Sequence, residues 1–159
     1  KHNSRARVIV MPAAASPLRG DERLFTYRQR FHFLRQMFVR EIRSGRVVLS
    51  CLEKKLPQPN YTVNTLEALR KICTQKPVLV IGADQAQNLP RWHKAGELMK
   101  NHDFLIFARR GASVITNAGF SAEVVANFDE NISATELRNK LSTMPPAERL
   151  REVQRLSES

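Results

Sequence analysis

Short apolar runs alternate with amphipathic segments along the whole chain. The apolar runs predict five β-strands, at residues 7–12, 46–52, 77–81, 104–107 and 123–128. Within most of these runs the apolar residues follow one another without polar interruption, which is typical of strands buried in a parallel sheet. The sequence therefore predicts a sheet that is covered by helices on both of its faces.

The segments between the strands repeat their apolar residues at helical spacing. In the first segment these residues recur at steps of three and four: Tyr27, Phe31, Leu34, Phe38 and Ile42. This spacing places them on one face of a single helix. Thr26 and Gln29 form a capping-box pattern at its start, and Ser44-Gly45 favours its end. Further helices are predicted at about 62–74, 94–101, 133–141 and 147–156.

Strands that alternate with helices predict an α/β fold with a Rossmann-like parallel sheet. In such folds ligands bind at the carboxyl ends of the strands. No internal repeat and no linker divides the sequence, so residues 1–159 are predicted to form a single domain.

The composition adds a strong basic excess, with 26 Lys and Arg residues against 15 Asp and Glu residues and a net charge of +11. Such a charge indicates anionic partners. The arginines are spread over the predicted helices without a zinc-finger or RRM signature, so a phosphate-rich small molecule fits the charge as well as nucleic acid does, and nucleic acid is not the preferred partner. No apolar run is long enough for a membrane span, and no signal-peptide pattern is present, so we expect a cytoplasmic protein without a membrane partner. A homo-oligomer is left open.

The cysteines do not form a motif. Cys51 and Cys73 lie apart, without C-x-x-C spacing or a histidine at metal-ligand spacing. We interpret them as two reduced thiols in or near the core, rather than as a disulfide or a metal site.

The common nucleotide and hydrolase motifs are absent from this sequence. It contains neither G-x-G-x-x-G nor G-x-x-x-x-G-K-[ST], which argues against a dinucleotide dehydrogenase and a P-loop NTPase. It also contains neither S-x-x-K nor G-x-S-x-G. What remains is a set of four polar loop clusters, each following a predicted strand, at residues 12–19, 60–66, 82–92 and 132–138.

Each residue in these clusters has a structural and a functional interpretation. Ser133 and Thr135 either cap a helix or, with Arg138, form an anion site at its N-terminus. Trp92 is either a core residue or an indole that stacks on a flat ring. Asp84 either caps the next segment or accepts hydrogen bonds from a ribose. The loop arginines are either solvated or bind phosphate; they are Arg19, Arg109 and Arg110.

Together the clusters resemble a known motif set. Tyr61-Thr62-x-x-Thr65-Leu66, Gly82-Ala83-Asp84-x-x-x-x-Leu89-Pro90-x-Trp92 and Ile132-Ser133-x-Thr135-x-x-Arg138 are similar to the ordered motifs of bacterial nicotinate-mononucleotide adenylyltransferases. This family is a branch of the HxGH nucleotidyltransferases. The resemblance covers residues 7 to about 142. It implies a nucleotidyltransferase-type fold and transfer of the adenylyl group of ATP to nicotinate mononucleotide, which yields nicotinate adenine dinucleotide and pyrophosphate on the route to NAD.

The resemblance also implies a role for each matching residue. Tyr61, Thr62 and Trp92 would form the pocket for the pyridine ring and its carboxylate, and Asp84 would hold a ribose. Arg19 would reach the mononucleotide phosphate. Four residues would bind ATP: Arg109, Ser133, Thr135 and Arg138. Of these, Arg138 would also stabilise charge in the transition state. Mg²⁺ would enter with ATP, and no metal-binding residue is predicted in the protein.

The sequence departs from the family at two places. The loop before Arg19 reads Ser16-Pro17-Leu18 where the family usually has Pro-Pro-His. The G-x-F-x-P-x-H and H-x-G-H motifs that open the family are not found in this sequence. We therefore expect a domain without its first strand, its H-x-G-H loop and its first helix, which is inactive on its own. Two other hypotheses are a non-catalytic nucleotide-binding homologue and a basic nucleic-acid-binding α/β module.

Overall fold

The computed structural model describes residues 6–15, 24–109, 120–128 and 134–158. The chain forms two compact units, which are described separately below. Unit A consists of Lys1–Asn60 with Ile132–Ser159, and unit B consists of Tyr61–Asn131. Whether the chain is one domain, as the sequence predicts, stays a prediction.

Unit A contains a two-stranded parallel sheet. Strand β1 (Val8–Val10) pairs with β2 (Val47–Leu49), with Val8 opposite Val47 and Val10 opposite Leu49. Val47 is buried, but Val8 is 53% exposed, so the first predicted strand is less buried than its sequence suggests. The second strand is shorter than predicted, because a 3-10 turn at Leu52–Lys55 follows it closely.

The predicted helix at residues 27–42 is present as two segments, α1 (Tyr27–Met37) and α2 (Val39–Arg43). The capping box is confirmed: Gln29 N–H donates to Thr26 Oγ1 at 3.3 Å, and Thr26 N–H donates to Gln29 Oε1 at 2.8 Å. The break lies at Phe38, whose φ of −103° and ψ of 22° lie outside the helical region. Gly45 ends the second segment with a φ of +74°, a conformation that favours glycine.

Two further helices complete unit A. They are α6 (Ala134–Ser142) and α7 (Pro146–Glu158), close to the predicted bounds, and α7 packs against α1. Glu152 on α7 joins the two helices, because its carboxylate accepts hydrogen bonds from Lys140 Nζ at 2.9 Å and from Arg155 Nε at 3.0 Å. These hydrogen bonds lower the pKa of Glu152 to about 2.

Unit B contains a three-stranded parallel sheet in the order β3-β4-β5. The strands are β3 (Val78–Gly82), β4 (Asp103–Arg109) and β5 (Ala122–Phe128), and the register places Gly82 opposite Phe107. The register between β4 and β5 shifts between Phe107 and Arg109. These three strands of unit B agree with the predicted ones to within two residues at each end.

Three helices cover this sheet. They are α3 (Thr62–Ile72), α4 (Ala83–Asn88) and α5 (Ala95–Asn101), and a 3-10 turn at Leu89–Arg91 links the last two. The sequence did not predict α4, which follows β3 without an intervening loop. The most buried residues of unit B are largely aliphatic: Val63, Leu66, Leu69, Ile81, Leu89, Leu98, Phe104 and Ile106. Parallel strands flanked by helices in both units agree with the predicted α/β class.

Both cysteines are free, as predicted, but only one lies near a core. Cys73 is half-buried at the end of α3, whereas Cys51 is exposed. The prediction of two thiols in or near the core is therefore wrong for Cys51. Cys51 is exposed because it lies after the end of β2. It directly precedes the 3-10 turn at Leu52–Lys55 and does not belong to the strand. In the described part of the chain, no helix has the length and apolar character of a membrane span.

Candidate functional site

The carboxyl end of β3 brings Asp84 to the edge of the sheet where ligands bind in this fold class. The strand ends at Gly82, and Asp84 lies in the first turn of α4 with an exposed side chain. The Asp84 side chain folds back over Gly82, so that a Cβ atom added there would lie 2.6 Å from Asp84 Oδ1. This close approach explains why a glycine precedes Asp84 by two residues.

Two hydrogen bonds stabilise the start of α4 around Asp84. The side-chain amide of Asn88 donates to the Asp84 carbonyl oxygen at 2.9 Å, and the side-chain amide of Gln85 donates to Asp84 Oδ2 at 3.3 Å. Among the described residues no group donates a hydrogen bond to Asp84 Oδ1, and this oxygen faces Gly82. The carboxylate is thus held in position and stays accessible to a hydroxyl donor.

The start of α3 holds Tyr61 and Thr62. Tyr61 is the N-cap residue and makes no side-chain capping hydrogen bond, and Thr62 is the first helical residue. Both side chains are half-buried. Because the first N–H groups of a helix have no partner within it, and because the helix dipole is positive at this end, an uncapped N-terminus favours a carboxylate or a phosphate.

Trp92 follows the 3-10 turn and is held by its backbone. Its N–H donates to the Leu89 carbonyl at 3.0 Å, and its carbonyl accepts from Ala95 N–H at 3.1 Å. Leu89 is fully buried and anchors the turn, and Lys94 has a φ of +53°, which turns the chain into α5. The indole is half-buried, and its buried Nε1 has no hydrogen-bond partner within the described residues.

A ring contact joins the turn that carries Trp92 to the start of α3. The imidazole of His93 stacks on the ring of Tyr61, with centroids 4.0 Å apart and an interplanar angle of 24°. Since His93 directly follows Trp92, this contact brings the Trp92 turn to the start of α3. His93 was not among the residues predicted from the sequence. Its position next to Trp92 was the one sequence feature that pointed to it. The contact itself joins the Tyr61 motif to the Trp92 motif, and no local pattern indicates such a contact.

The backbone of Arg109 reaches the same edge of unit B. Gly82 at the end of β3 pairs with Phe107, and Arg109 lies two residues further along β4. The structure describes the backbone of Arg109 but not its side chain. Four of the predicted substrate residues therefore lie in this region of unit B, together with the end of β4: Tyr61, Thr62, Asp84 and Trp92.

The other predicted residues belong to unit A. Arg138 lies on α6 with an exposed side chain, in the second turn of the helix as predicted. Thr135 lies in the first turn, where its backbone alone is described. Ser133 and Arg19 lie outside the described residues. The roles of these four residues stay predictions.

Unit A contains a polar cluster that the sequence analysis did not identify. Tyr27 was assigned to an apolar helix face, but its hydroxyl is buried and has no hydrogen-bond partner in the part of unit A that is described. Lys54 Nζ and Arg30 Cζ lie 5.2 and 5.5 Å from the ring centroid. Burial, followed by the interaction with Cys51, raises the pKa of the Tyr27 hydroxyl.

The described residues include no group of three or more His, Cys, Asp or Glu side chains that could hold a metal ion. The Mg²⁺ ion that would enter with ATP stays a prediction.

Comparisons with known proteins support the sequence resemblance. A protein of Porphyromonas gingivalis named "Probable nicotinate-nucleotide adenylyltransferase" is 33% identical over 105 residues, which are 65% of this chain and 52% of that protein. A protein of Methylacidiphilum infernorum with the same name is 24% identical over 141 residues, covering 88% of this chain and 68% of that protein. The chain thus spans about half the length of the first relative. No family model matches the chain.

A solved structure supports the fold. It is the Plasmodium falciparum nicotinic acid mononucleotide adenylyltransferase complexed with NaAD, which superposes with a TM-score of 0.65 over 92% of this chain and 74% of that chain. At 16% sequence identity this likeness shows the fold alone. The fold is therefore an α/β fold of the nucleotidyltransferase type, and the resemblance of this chain to the nicotinate-nucleotide adenylyltransferases is confirmed.

Proposed function

We propose that the chain takes part in transferring the adenylyl group of ATP to nicotinate mononucleotide, with nicotinate adenine dinucleotide and pyrophosphate as products. The observation that carries this proposal is the ring contact of His93 with Tyr61, which brings the half-buried Trp92 turn to the uncapped start of α3. The half-buried indole there is suited to contact a flat, polar ring. The names of the relatives point to the same substrate.

The pyridine nucleotide would bind at the start of α3. Trp92 offers an aromatic face to the pyridine ring, and the first N–H groups of α3 attract its carboxylate. The Thr62 hydroxyl lies at the first helical position and is a second donor to that carboxylate. The His93 ring, stacked on Tyr61, fixes the two sides of the pocket relative to each other.

The sugar and phosphate groups would extend along the carboxyl ends of the strands. Asp84 would accept hydrogen bonds from a ribose, because its Oδ1 faces the end of β3 and not a protein donor. We propose that Arg19 binds the mononucleotide phosphate. Four residues are proposed to bind the ATP phosphates: Arg109, Ser133, Thr135 and Arg138.

The proposed chemistry needs no protein nucleophile. The phosphate oxygen of the mononucleotide attacks the α-phosphorus of ATP in line, the bond to the pyrophosphate oxygen breaks, and pyrophosphate leaves with both bonding electrons. The protein positions the two substrates and stabilises the developing negative charge, which is the role we propose for Arg138. Mg²⁺ bound to ATP neutralises charge on the leaving group.

A non-catalytic homologue that binds the same nucleotides is the second candidate. Both candidates predict a binding site for nicotinate mononucleotide and differ only in turnover. For either candidate we propose a cytoplasmic location, where ATP is available.

Calorimetric titration of this chain with nicotinate mononucleotide, nicotinamide mononucleotide and ATP tests the proposed site. We expect binding of nicotinate mononucleotide, and weaker binding of the amide because the charge attracted by the helix N-terminus is lost. Lys100→Gln is the matched control, since Lys100 lies near the opposite, amino-terminal end of β4 and its loss should leave binding unchanged. Absence of mononucleotide binding would contradict both candidates.

A pyrophosphate-release assay then separates the two candidates. We expect residues 1–159 alone to release no pyrophosphate from ATP, nicotinate mononucleotide and Mg²⁺. A natural polypeptide that contains this chain together with an H-x-G-H motif should release it. Mononucleotide binding without turnover in that polypeptide would favour the non-catalytic homologue.

A further inference from the structure

The positive charge of the chain is concentrated in one unit. Unit A holds eighteen Lys and Arg residues against eight Asp and Glu residues, a net charge of +10. Unit B holds eight against seven, a net charge of +1. Arg19 and Arg138 of unit A are proposed to bind nucleotide phosphates, but they are two of its eighteen basic residues, so nucleotide binding does not account for the excess.

Part of this charge forms a stripe along α1 and α2. The stripe consists of Arg28, His32, Arg35, Val39 and Arg43, which follow one another at steps of four, three, four and four residues. All five side chains are exposed. Because the N–H of Phe38 donates to Leu34 O at 3.0 Å and the N–H of Ile42 to Phe38 O at 2.8 Å, the helical path continues across the break between the two helices.

The arginines of the stripe are not neutralised by neighbours. Among the residues that the structure describes, Arg28, Arg35 and Arg43 form no ion pair. The only acidic residue on α1 or α2 is Glu41, which pairs with Arg46 at 3.6 Å. Three unpaired guanidinium groups are therefore aligned over about 22 Å, taking a rise of about 1.5 Å per residue.

The stripe continues into a shallow groove beside α7. Arg28 and His32 line one wall of this groove, of about 370 Å³, and Leu150 and Gln154 of α7 line the other. The wall contributed by α7 carries no acidic side chain, since Glu152 points to Lys140 and Arg155. The surface is thus basic along its length and is bordered by neutral side chains on the α7 side.

From this surface we propose that unit A binds the phosphodiester backbone of double-stranded nucleic acid, without reading its sequence. A duplex carries one negative charge per about 1.7 Å of its axis, so a straight stripe of arginines meets phosphates along its whole length. Arginine forms two parallel hydrogen bonds with a phosphate group, which suits this contact better than lysine. The only ring on the stripe is the His32 imidazole, and the stripe carries no Phe, Tyr or Trp of the kind on which single-strand binding surfaces stack bases. The sequence alone did not favour nucleic acid as a partner, and the placement of charge on the helices reverses that preference.

The stripe is less suited to a membrane surface. A helix that lies in a lipid interface needs a broad apolar face beside its basic residues. On the stripe the only apolar side chain is Val39, which is 40% exposed. Electrostatic contact with a duplex needs no apolar face, so the composition of the stripe favours the duplex.

Fluorescence anisotropy of a labelled 24-base-pair duplex, titrated with this chain at several salt concentrations, tests the proposal. The test variant is Arg28→Gln/Arg35→Gln/Arg43→Gln. The control variant, Arg70→Gln/Lys71→Gln/Lys100→Gln, removes the same charge from exposed positions of unit B. We expect the test variant to bind at least about tenfold more weakly at 50 mM salt and to lose about 2.7 from the slope of log K against log salt, at about 0.9 per phosphate contact.

The control should change the affinity by less than about threefold, and circular dichroism should confirm that both variants are folded. Duplex binding should also be the same with and without saturating nicotinate mononucleotide, so its outcome is independent of the proposed enzymatic function. Equal losses in the two triple variants would overturn the proposal, because net charge alone would then explain binding. Binding to phosphatidylserine vesicles but not to the duplex would overturn it in favour of a membrane.

Discussion

The imidazole ring of His93 lies over the ring of Tyr61, with centroids 4.0 Å apart and planes inclined by 24°. This contact ties the turn that carries Trp92 to the start of α3, although the two segments are far apart in the sequence. We therefore regard the pair as the element that closes the proposed pyridine pocket.

Replacing His93 with alanine should weaken the binding of nicotinate mononucleotide. Ring pairs contribute about 0.5–1.5 kcal/mol beyond the area they bury, which corresponds to a rise in Kd of about two- to tenfold. Calorimetry measures this change. His93→Phe is the matched control, because it keeps a ring over Tyr61 and should bind the mononucleotide nearly as tightly as the natural chain. Equal weakening by both variants would show that the imidazole acts through hydrogen bonding and not through stacking.

Trp92→Ala should weaken the binding of nicotinate mononucleotide far more than the binding of ATP. The lost stacking partner is worth about 1–3 kcal/mol by analogy with base–aromatic stacking, or about five- to 150-fold in Kd. Trp92→Phe keeps a ring and removes only the unpartnered N–H. A loss in both variants would assign the effect to the N–H, and a loss in Trp92→Ala alone would assign it to stacking. Equal losses for mononucleotide and ATP would make Trp92 a core residue.

Gly82→Ala should disturb Asp84 without unfolding unit B. The added Cβ would lie 2.6 Å from Asp84 Oδ1, closer than real contacts allow, and that carboxylate is exposed and free to turn away. We expect the Kd for the mononucleotide to rise about as much as in Asp84→Asn, because both variants remove the same oriented acceptor. Combining the two substitutions should add little, as expected for residues that act through one group. Additive losses would contradict this coupling.

Arg138→Ala tests the proposed charge stabilisation in a polypeptide that shows turnover. We expect kcat to fall by about 100-fold or more, with a small change in the binding of nicotinate mononucleotide, if Arg138 contacts charge that develops on the phosphates. Arg149→Ala is a useful contrast, because Arg149 donates to the Met144 and Ser142 carbonyls and should lower stability instead. Unchanged kinetics in Arg138→Ala would leave the residue as part of an exposed helix surface.

Patterns that depend on local chemistry were predictable from the sequence. The capping box of Thr26 and Gln29 is an example, because both hydrogen bonds form within three residues of each other. The ends of β3 and the start of α3 were also predicted closely, since apolar runs and polar loops differ sharply in composition there. These boundaries were sufficient to place Tyr61 and Trp92 outside the helices, but not to place Asp84, which lies in the first turn of α4.

Features that depend on distant contacts were not predictable. Helix α4 has the sequence Ala-Asp-Gln-Ala-Gln-Asn, which has no apolar periodicity, and it forms against β3 and β4. The stacking of His93 on Tyr61 joins segments that no local pattern connects. The break at Phe38 interrupts an apolar stripe that continues through it in the sequence. The concentration of charge in unit A could not be predicted, because it depends on how the folded chain divides into units.

A buried histidine in unit B should make the stability of this unit depend on pH. His102 is 3% exposed at the end of α5, and its Nδ1 has no hydrogen-bond partner among the described residues. Burial lowers the pKa of His102 below 6.5, and the positive charges of Arg70 and Lys76 lower it further. Asp103 and Glu67 oppose this shift only in part, since the net change is downward.

The sign of the effect follows from where the proton binds. Above about pH 6.5 the imidazole is neutral in the folded and the unfolded chain, so it contributes no pH dependence. Below that pH the unfolded chain binds a proton that the folded chain resists, and the free energy of unfolding therefore falls as the pH decreases. The salt bridge of Asp103 with Lys76 acts in a different window, because the pKa of Asp103 is lowered from 3.8 and its contribution is lost only at more acidic pH.

Urea unfolding at pH 7.5 and pH 5.5 measures this effect. The natural chain should have a lower urea midpoint at pH 5.5, and His102→Gln should reduce the difference between the two midpoints because it removes the titrating group. His32→Gln is the matched control, since His32 is exposed on α1 and its loss should leave the pH dependence as in the natural chain. If His102→Gln keeps the full decrease between pH 7.5 and pH 5.5, another group must bind the proton. Burial of His102 would then not be the cause of the acid sensitivity.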